Sequence, residues 1–380
     1  AGHLGHRQKQ GEALLLAARV ANQVSDPSLK AQAHVLLARH DAATGRFLAA
    51  LQHAEASQAA ALLARNPGQQ AAALRANAAI LRTLGEIGYE DLLNRADALA
   101  AEAGDEQGRA FGLLLLGQLH ISTDRPATAL ETLKSALRLF EKLRDERGRG
   151  RSFYQLARVY RMFADLERAQ KAVDMANRIA RANSDRGLEA RCLFLRGDLA
   201  MRMRRFLEGR NLLRQALTEL DQAGDRTVHV YALASLALLE SARHNVDGDL
   251  AAGAEYANQA VGLAADLGLP RQQSLVYAAL AFVRLAQKRP RFAYAVSRKG
   301  MRYLGQRAGG RRREAESTFI HYRCLKALDR MGEALEFLGR ARDLVKEQAV
   351  EIEQTALRKS FLKRDPFNVA VLREARKRLQ

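Results

Sequence analysis

Arg151, Tyr154, Arg158 and Arg161 recur at i, i+3, i+7 and i+10, the spacing of one stripe along a helix. Guanidinium forks bind carboxylates through paired N–H···O bonds, and a ring beside them supplies rigid contact area. The stripe therefore suits recognition of an acidic partner rather than bond-making. A second group of cations comprises Arg284, Lys288, Arg289, Arg291, Arg298, Lys299, Arg302, Arg307, Arg311, Arg312 and Arg313, and reads as a hairpin turn, a helix and the following loop. Its field would attract phosphate backbones or acidic proteins, and Phe292, Tyr294 and Tyr303 lie among the charges. For both groups the bland alternative is an ordinary solvated arginine-rich surface, with some of the stripe paired to Asp165, Glu167 or Glu189.

Reactive chemistry has fewer candidates. There is no glycine-rich loop closed by Lys-Ser/Thr, no His-Glu-x-x-His and no paired-cysteine motif. Gly148-Arg149-Gly150 stands at a helix junction rather than after a strand, and reads as a loop. His34 and His40 are off the i, i+4 spacing that two ligands on one helix need, and His3 and His6 fall in a terminal stretch expected to be mobile. Asn245, Asp247, Gly248 and Asp249 lack the bidentate acid of a calcium loop and read as a polar turn. The sequence predicts no metal, no cofactor and no enzyme. Cys192 and Cys324 read as small core residues rather than a disulfide, which suits a reducing cytosol.

The net charge of +19 is concentrated: residues 271–380 hold 26 basic and 11 acidic side chains. Arginine-rich codon usage explains the excess of Arg over Lys but not that asymmetry. The clean apolar runs Leu113–Leu116 and Ala232–Leu239 fall far short of the roughly 18–20 residues that span a bilayer, so no membrane partner is expected. The N-terminus shows no signal pattern, and the chain reads as soluble and cytoplasmic.

What positions these side chains is a repeat. Phe153–Ala180 reads as two amphipathic helices joined by a short turn, with Leu156, Ala157 and Tyr160 on one apolar face and Ala169, Val173 and Ala176 on the other. Small residues recur about every forty positions at Gly117, Ala157, Gly197, Ala237 and Ala281 in the first helix. They recur again at Ala17, Ser57, Ala96, Ala136, Ala176, Ala216, Ala260, Gly300 and Ala341 in the second. Small residues at a fixed period mark close helix crossings, hence an all-α solenoid of about eight hairpins. Junctions such as GDEQGRA and GDRTVHV pair a helix-ending residue with an Asp able to cap the next helix. The expected organisation is a mobile segment over 1–10, a solenoid over 11–350 and capping helices over 351–380. Gly11–Gln23 reads as a second helix with no first helix before it. That is either a half-repeat cap or the start of a piece of a longer protein, and the apolar block Leu14–Leu16 favours the piece.

The hairpin resembles the tetratricopeptide repeat. Gly117, Ala129 and Ala136, then Ala157, Tyr160, Ala169 and Ala176, then Gly197, Gly209 and Ala216 match that family's small-residue positions. The period of 40 is similar to the longer-helix variant of kinesin-light-chain-like arrays and bacterial signalling regulators; HEAT repeats are the structural rival. The closing string LRKSFLKRDPFNVAVL is similar to the end of helical arrays in bacterial multidomain kinases and ATPases.

The resemblance implies a right-handed superhelix whose concave surface is lined by the first helix of each hairpin. Projected on it are Arg151, Tyr154, Arg158 and Arg161, flanked by Phe111, Leu114 and Gln118 and by Arg191, Phe194, Asp198 and Arg202, with Arg39, Arg75 and Arg82 further toward the N-terminus. The implied function is a non-enzymatic scaffold or sensor that holds a protein or peptide, acidic by charge, within a larger bacterial signalling protein that has an upstream catalytic domain. The alternative is a nucleic-acid-binding regulator using Arg289, Arg291, Arg298, Arg302 and Arg311–Arg313.

Overall fold

From Gly104 to Gly224 the chain makes a left-handed turn every twenty residues. Gly104, Asp124, Arg144, Ala164, Ser184, Arg204 and Gly224 all have φ between 53° and 64°. Each turn ends one helix, and the next begins after a single capping residue. At alternate turns that residue is Asp105, Asp145, Asp185 or Asp225, whose carboxylate accepts the backbone N–H of Gly108, Gly148, Leu188 or Val228 at 2.7–3.1 Å.

The computed structural model describes residues 2–84, 86, 88–242, 245–268, 270–304 and 310–379. It contains α1 (Gly2–Val24), α2 (Pro27–Ala43), α3 (Phe47–Leu63), α4 (Pro67–Leu84), α5 (Tyr89–Glu102), α6 (Glu106–Ser122), α7 (Pro126–Lys142), α8 (Glu146–Met162) and α9 (Leu166–Ala182). These are followed by α10 (Arg186–Arg202), α11 (Phe206–Ala223), α12 (Arg226–Glu240), α13 (Leu250–Asp266), α14 (Pro270–Ala286) and α15 (Pro290–Leu304). The chain ends with α16 (Arg311–Ala327), α17 (Met331–Val350), α18 (Thr355–Lys363) and α19 (Pro366–Arg378). There is no strand among the described residues, and the all-α solenoid expected from the repeat is what the chain forms. From α2 onward each even-numbered helix pairs with the next odd one, giving eight hairpins before α18 and α19. The backbone of residues 2–10 belongs to α1 rather than to a separate segment.

The small residues sit at the helix crossings. Ala157, Ala237 and Ala281 are fully buried, and a Cβ at Gly117 or Gly197 would stand 2.5 or 2.7 Å from Leu133 or Leu213 of the paired helix. Ser57, Ala96, Ala136, Ala176, Ala216, Ala260 and Ala341 are equally buried. Ala17 is the exception: it is exposed, and α1 packs on α2 through Ala18 beside Ala33 and Leu37. The Gly148–Gly150 stretch is no loop either. It forms the first turns of α8, where a Cβ at Gly148 would fall on the Phe140 ring.

Each even-numbered helix also touches the next even-numbered one, from α2 through α16, which places these helices on the inside of the superhelix. Segments five hairpins apart then meet. Phe47 at the start of α3 packs with Val230, Leu233, Ala264 and Leu267 of the α12–α13 hairpin. Asp124, after α6, accepts the backbone N–H of Arg312 in α16 at 2.7 Å. Ser360 of α18 donates to the carbonyl of Ala164, after α8, at 3.1 Å. One superhelical turn thus spans about five hairpins, and successive turns touch around a lumen.

Candidate functional site: an arginine-lined lumen

The even-numbered helices carry arginines into this lumen at heights set by the repeat. Arg151 of α8 and Arg191 of α10 are one period apart, and Tyr231 of α12 follows one period later. Each arginine faces the aspartate that caps the next even-numbered helix: Arg151 Nη2 lies 3.7 Å from Asp185, and Arg191 Nε donates to Asp225 at 2.6 Å. One carboxylate so serves twice, capping a helix with one oxygen and pairing a lumen cation with the other. The Asp225 charge holds the Arg191 pKa above its ordinary value.

One end of the lumen is neutralised in the same way. Asp198 of α10 lies between Arg161 of α8, at 3.3 Å, and Arg202, at 3.0 Å. Burial pushes the Asp198 carboxyl up, but Arg202 and Arg161 outweigh burial and hold it below the usual carboxylate range. Asp365, fully buried at the N-cap of α19, takes Arg312 Nη2 at 2.9 Å and lies 3.6 Å from Arg202 Nη1. Arg312 also donates to Glu316 at 3.0 Å.

These contacts revise the reading of the C-terminal cations. Arg311, Arg312 and Arg313 form the first turn of α16 rather than a loop, and they are already engaged. Arg311 pairs with Glu351, Arg312 with Asp365, and Arg313 donates to the Tyr231 hydroxyl at 2.8 Å while stacking on its ring. Arg289, Arg291, Arg298 and Arg302 are exposed, the last three on one face of α15 with Phe292, opposite the buried Ala293, Ser297 and Gly300. Arg307 lies outside the described residues, as do Arg243 and His244 of the polar turn. Within that turn Asp249 caps α13, and Asp247 offers its carbonyl to Arg210.

Three projected aromatics go into packing. Phe111 meets Phe140 edge-on with centroids 5.1 Å apart, Phe194 lies against Leu193, Leu213 and Leu220, and Tyr154 is buried beside Leu188 and Cys192. Leu114 is buried in the same core as Phe140, and Gln118 is half-buried on α6. Both cysteines are buried free thiols.

Other projected cations lack a counter-charge. Among the described residues Arg158 donates only to the amide oxygen of Gln155, at 2.7 Å. Arg39 of α2 has no ion pair among the described residues, and its nearest charged influence is the like charge of Arg151. Arg82 of α4 has no ion pair among the described residues; its Nε is buried without a hydrogen-bond partner there, and burial, with the like charges of Arg158 and Arg191, pulls its pKa down to about 10. Sequence projection reached Arg82 and passed over Tyr231, although a forty-residue step from Arg191 lands on it. Arg313 was read only as part of the basic cluster; its bond to Tyr231, two hairpins earlier, had no local signal.

His34 and His53 meet at 3.1 Å between their Nδ1 atoms, but no group of three metal-ligating side chains exists among the described residues. No described helix is long and apolar enough to cross a membrane.

Neither a family model nor a curated protein matches the chain. Its fold is similar to that of solved helical-repeat proteins. A Rap protein complexed with Competence and Sporulation Factor matches at TM-score 0.62 and 13% identity, over 92% of this chain and 99% of that one. The Rap conjugation gene regulator of plasmid pLS20, complexed with the Phr* peptide, matches at 0.52 and 13%, over 88% and 96%. The apo form of RapI matches at 0.50 and 10%, over 91% and 98%. At these identities the likeness is one of fold.

Proposed function

We propose that this chain is a non-enzymatic, peptide- or protein-binding helical array that takes its ligand in the lumen. The observation that carries the reading is the imbalance of charge there. Arg39, Arg82 and Arg158 face the cavity without a carboxylate, whereas Arg151, Arg161, Arg191 and Arg202 around them are paired. An extended acidic segment would supply the missing charge and meet arginine forks from several helices at once. Two of the Rap proteins of similar fold are described with a factor or peptide bound, which supports a peptide as the ligand. The similarity of the closing segment to multidomain kinases and ATPases supports a place in a larger bacterial signalling protein. Display selection from a random peptide library tests the reading. Selected peptides should be acidic, protect α4, α8 and α10 from hydrogen exchange, and lose binding on Arg158→Glu; peptides that protect only the outer helices would overturn it.

A second reading, nucleic-acid binding, rests on α15 alone, where Arg291, Arg298 and Arg302 share an exposed face with Phe292. Four exposed cations, Lys299 among them, and no groove-entering element predict weak, salt-sensitive association. Fluorescence anisotropy with duplex DNA and single-stranded RNA should show no sub-micromolar complex at physiological salt. One that persists there and is lost on Arg291→Glu/Arg298→Glu would promote this reading.

A further inference from the structure

We infer that the outward face of α15 is a docking ridge for an acidic helix of a partner protein. The helix contains four cations, Arg291, Arg298, Lys299 and Arg302, and no acid. At about 100° per residue these four share an arc of about 120° with Phe292 and Ala295, opposite the buried Ala293, Ser297 and Gly300. All six are exposed, Phe292 by 65%. None of the four cations makes a side-chain hydrogen bond or ion pair among the described residues, whereas Arg311, Arg312 and Arg313 of the next helix are all engaged. The ridge lies on the outside of the array, so neither it nor the lumen depends on the other.

Two features choose the occupant. First, α15 lies between outer helices of the opposite sign. Val296 packs into the core cluster that holds Ala254 and Ala257 of α13, and the Arg330 guanidinium that opens α17 lies 5.0 Å over the Tyr294 ring. Helix α13 exposes Glu255 and Asp266 and has no cation, while α17 exposes Glu336 and Glu347 and has four acids to three cations. Packed helices stand about 10 Å apart, so a bilayer or a duplex would cover all three and bring its phosphates over those carboxylates. A single segment laid along α15 meets only cations. Second, the spacing selects a helix. Arg291, Arg298 and Arg302 are seven and four residues apart, so an apposed helix with acids at i, i+4 and i+11 meets all three from one stripe. In an extended chain the same rises, about 10 and 6 Å, correspond to about three and two residues, which turns one acid to the opposite face. Phe292, beside the stripe, offers a ring for an apolar side chain of the partner to cover.

The probe is a synthetic, end-capped helical peptide of about 16 residues with Glu at i, i+4 and i+11, run beside a scramble of the same composition. At physiological salt, fluorescence anisotropy should show the peptide binding and the scramble binding about ten-fold or more weakly. Hydrogen-exchange protection should fall on α15. Arg291→Glu/Arg298→Glu/Arg302→Glu changes only exposed positions and should keep the wild-type circular dichroism. It should lose about ten-fold or more in affinity and regain it toward a peptide with Lys at the same three places. Neither a merely solubilising surface nor a loss of fold can produce that rescue. Equal binding of the scramble, absence of rescue, or protection confined to α4, α8 and α10 would overturn the inference. So would displacement of the peptide, at the same salt, by phosphatidylserine vesicles or duplex DNA that bind more tightly, because the ridge would then recognise a broad anionic surface.

Discussion

Arg204 holds a left-handed backbone, φ 61°, with an exposed side chain that makes no ion pair among the described residues. The equivalent turns at Gly104 and Gly224 use glycine, which reaches this conformation without a clash at Cβ. Arg204→Gly should therefore stabilise the array by about 0.5–1 kcal/mol, the relief of strain exceeding the added freedom of the unfolded chain; a urea titration followed by circular dichroism checks it. Ala164 shares the geometry but lends its carbonyl to Ser360, so the same change there would mix two effects. At this scale the sequence is half legible. The tetratricopeptide resemblance implies that Arg151, Arg158 and Arg191 lie on inner helices, but which of them is neutralised depends on Asp185 and Asp225, 34 residues beyond Arg151 and Arg191. The aromatics mislead for a physical reason: beside an arginine stripe, Tyr154 and Phe194 cover more apolar surface by turning between helices than by facing the lumen.

The helices themselves are legible because period and packing say the same thing. A small residue every forty positions is a close crossing, and seven of those in the second helices, from Ser57 to Ala341, have no exposed surface. Ala176 sits among Ala157, Val173 and Leu188, and Ala176→Leu should cost about 1–3 kcal/mol by forcing α8 and α9 apart. A thermal melt at the wild-type temperature would contradict the crossing. Legibility fails where an element leaves the period. Ala17 fits the spacing yet is exposed, since α1 packs on α2 through Ala18 and turns a different face to it. The Gly148–Gly150 pair reads as a loop because glycine disfavours helix; here it lets α8 approach Phe140 and Ile179.

At the scale of the molecule, touching turns replace the open coil that a repeat pattern alone describes. Nothing local announces that Asp365 will meet Arg202 and Arg312, since contacts between turns depend on pitch and pitch sums small rotations over many hairpins. Asp365→Ala would take a buried carboxylate from both arginines, leaving Arg202 with Asp198 and Arg312 with Glu316, and would remove a helix cap, a loss of about 3 kcal/mol at the closure. The expected outcome is release of α18 and α19 to limited proteolysis while most helicity persists. The contact is also acid-sensitive. Burial pushes the Asp365 carboxyl up, Arg312 and Arg202 outweigh that, and the folded pKa lies below the usual value. A depressed carboxylate pKa stabilises at pH above the unfolded value, about 4, and that contribution is lost as pH falls through the folded one. Asp198 follows the same sign, whereas Asp124, pushed up by burial, opposes the fold as pH rises. Small-angle scattering should show the coil opening below about pH 4 before circular dichroism reports melting.

The same contacts set the order of events in time. Hairpins of 17-residue helices close local loops and need no distant partner, so they form early and anywhere along the chain. The bond from Arg312 to Asp124 joins residues 188 apart, and that from Ser360 to Ala164 joins residues 196 apart. Closing an unstructured loop of that length would cost about 4–5 kcal/mol of chain entropy. Once the intervening hairpins have stacked, the search is already over, because their accumulated curvature delivers the two ends to each other. Refolding should thus be quick in helix content and late in compactness, with the lumen the last part of the molecule to exist and the first to disappear.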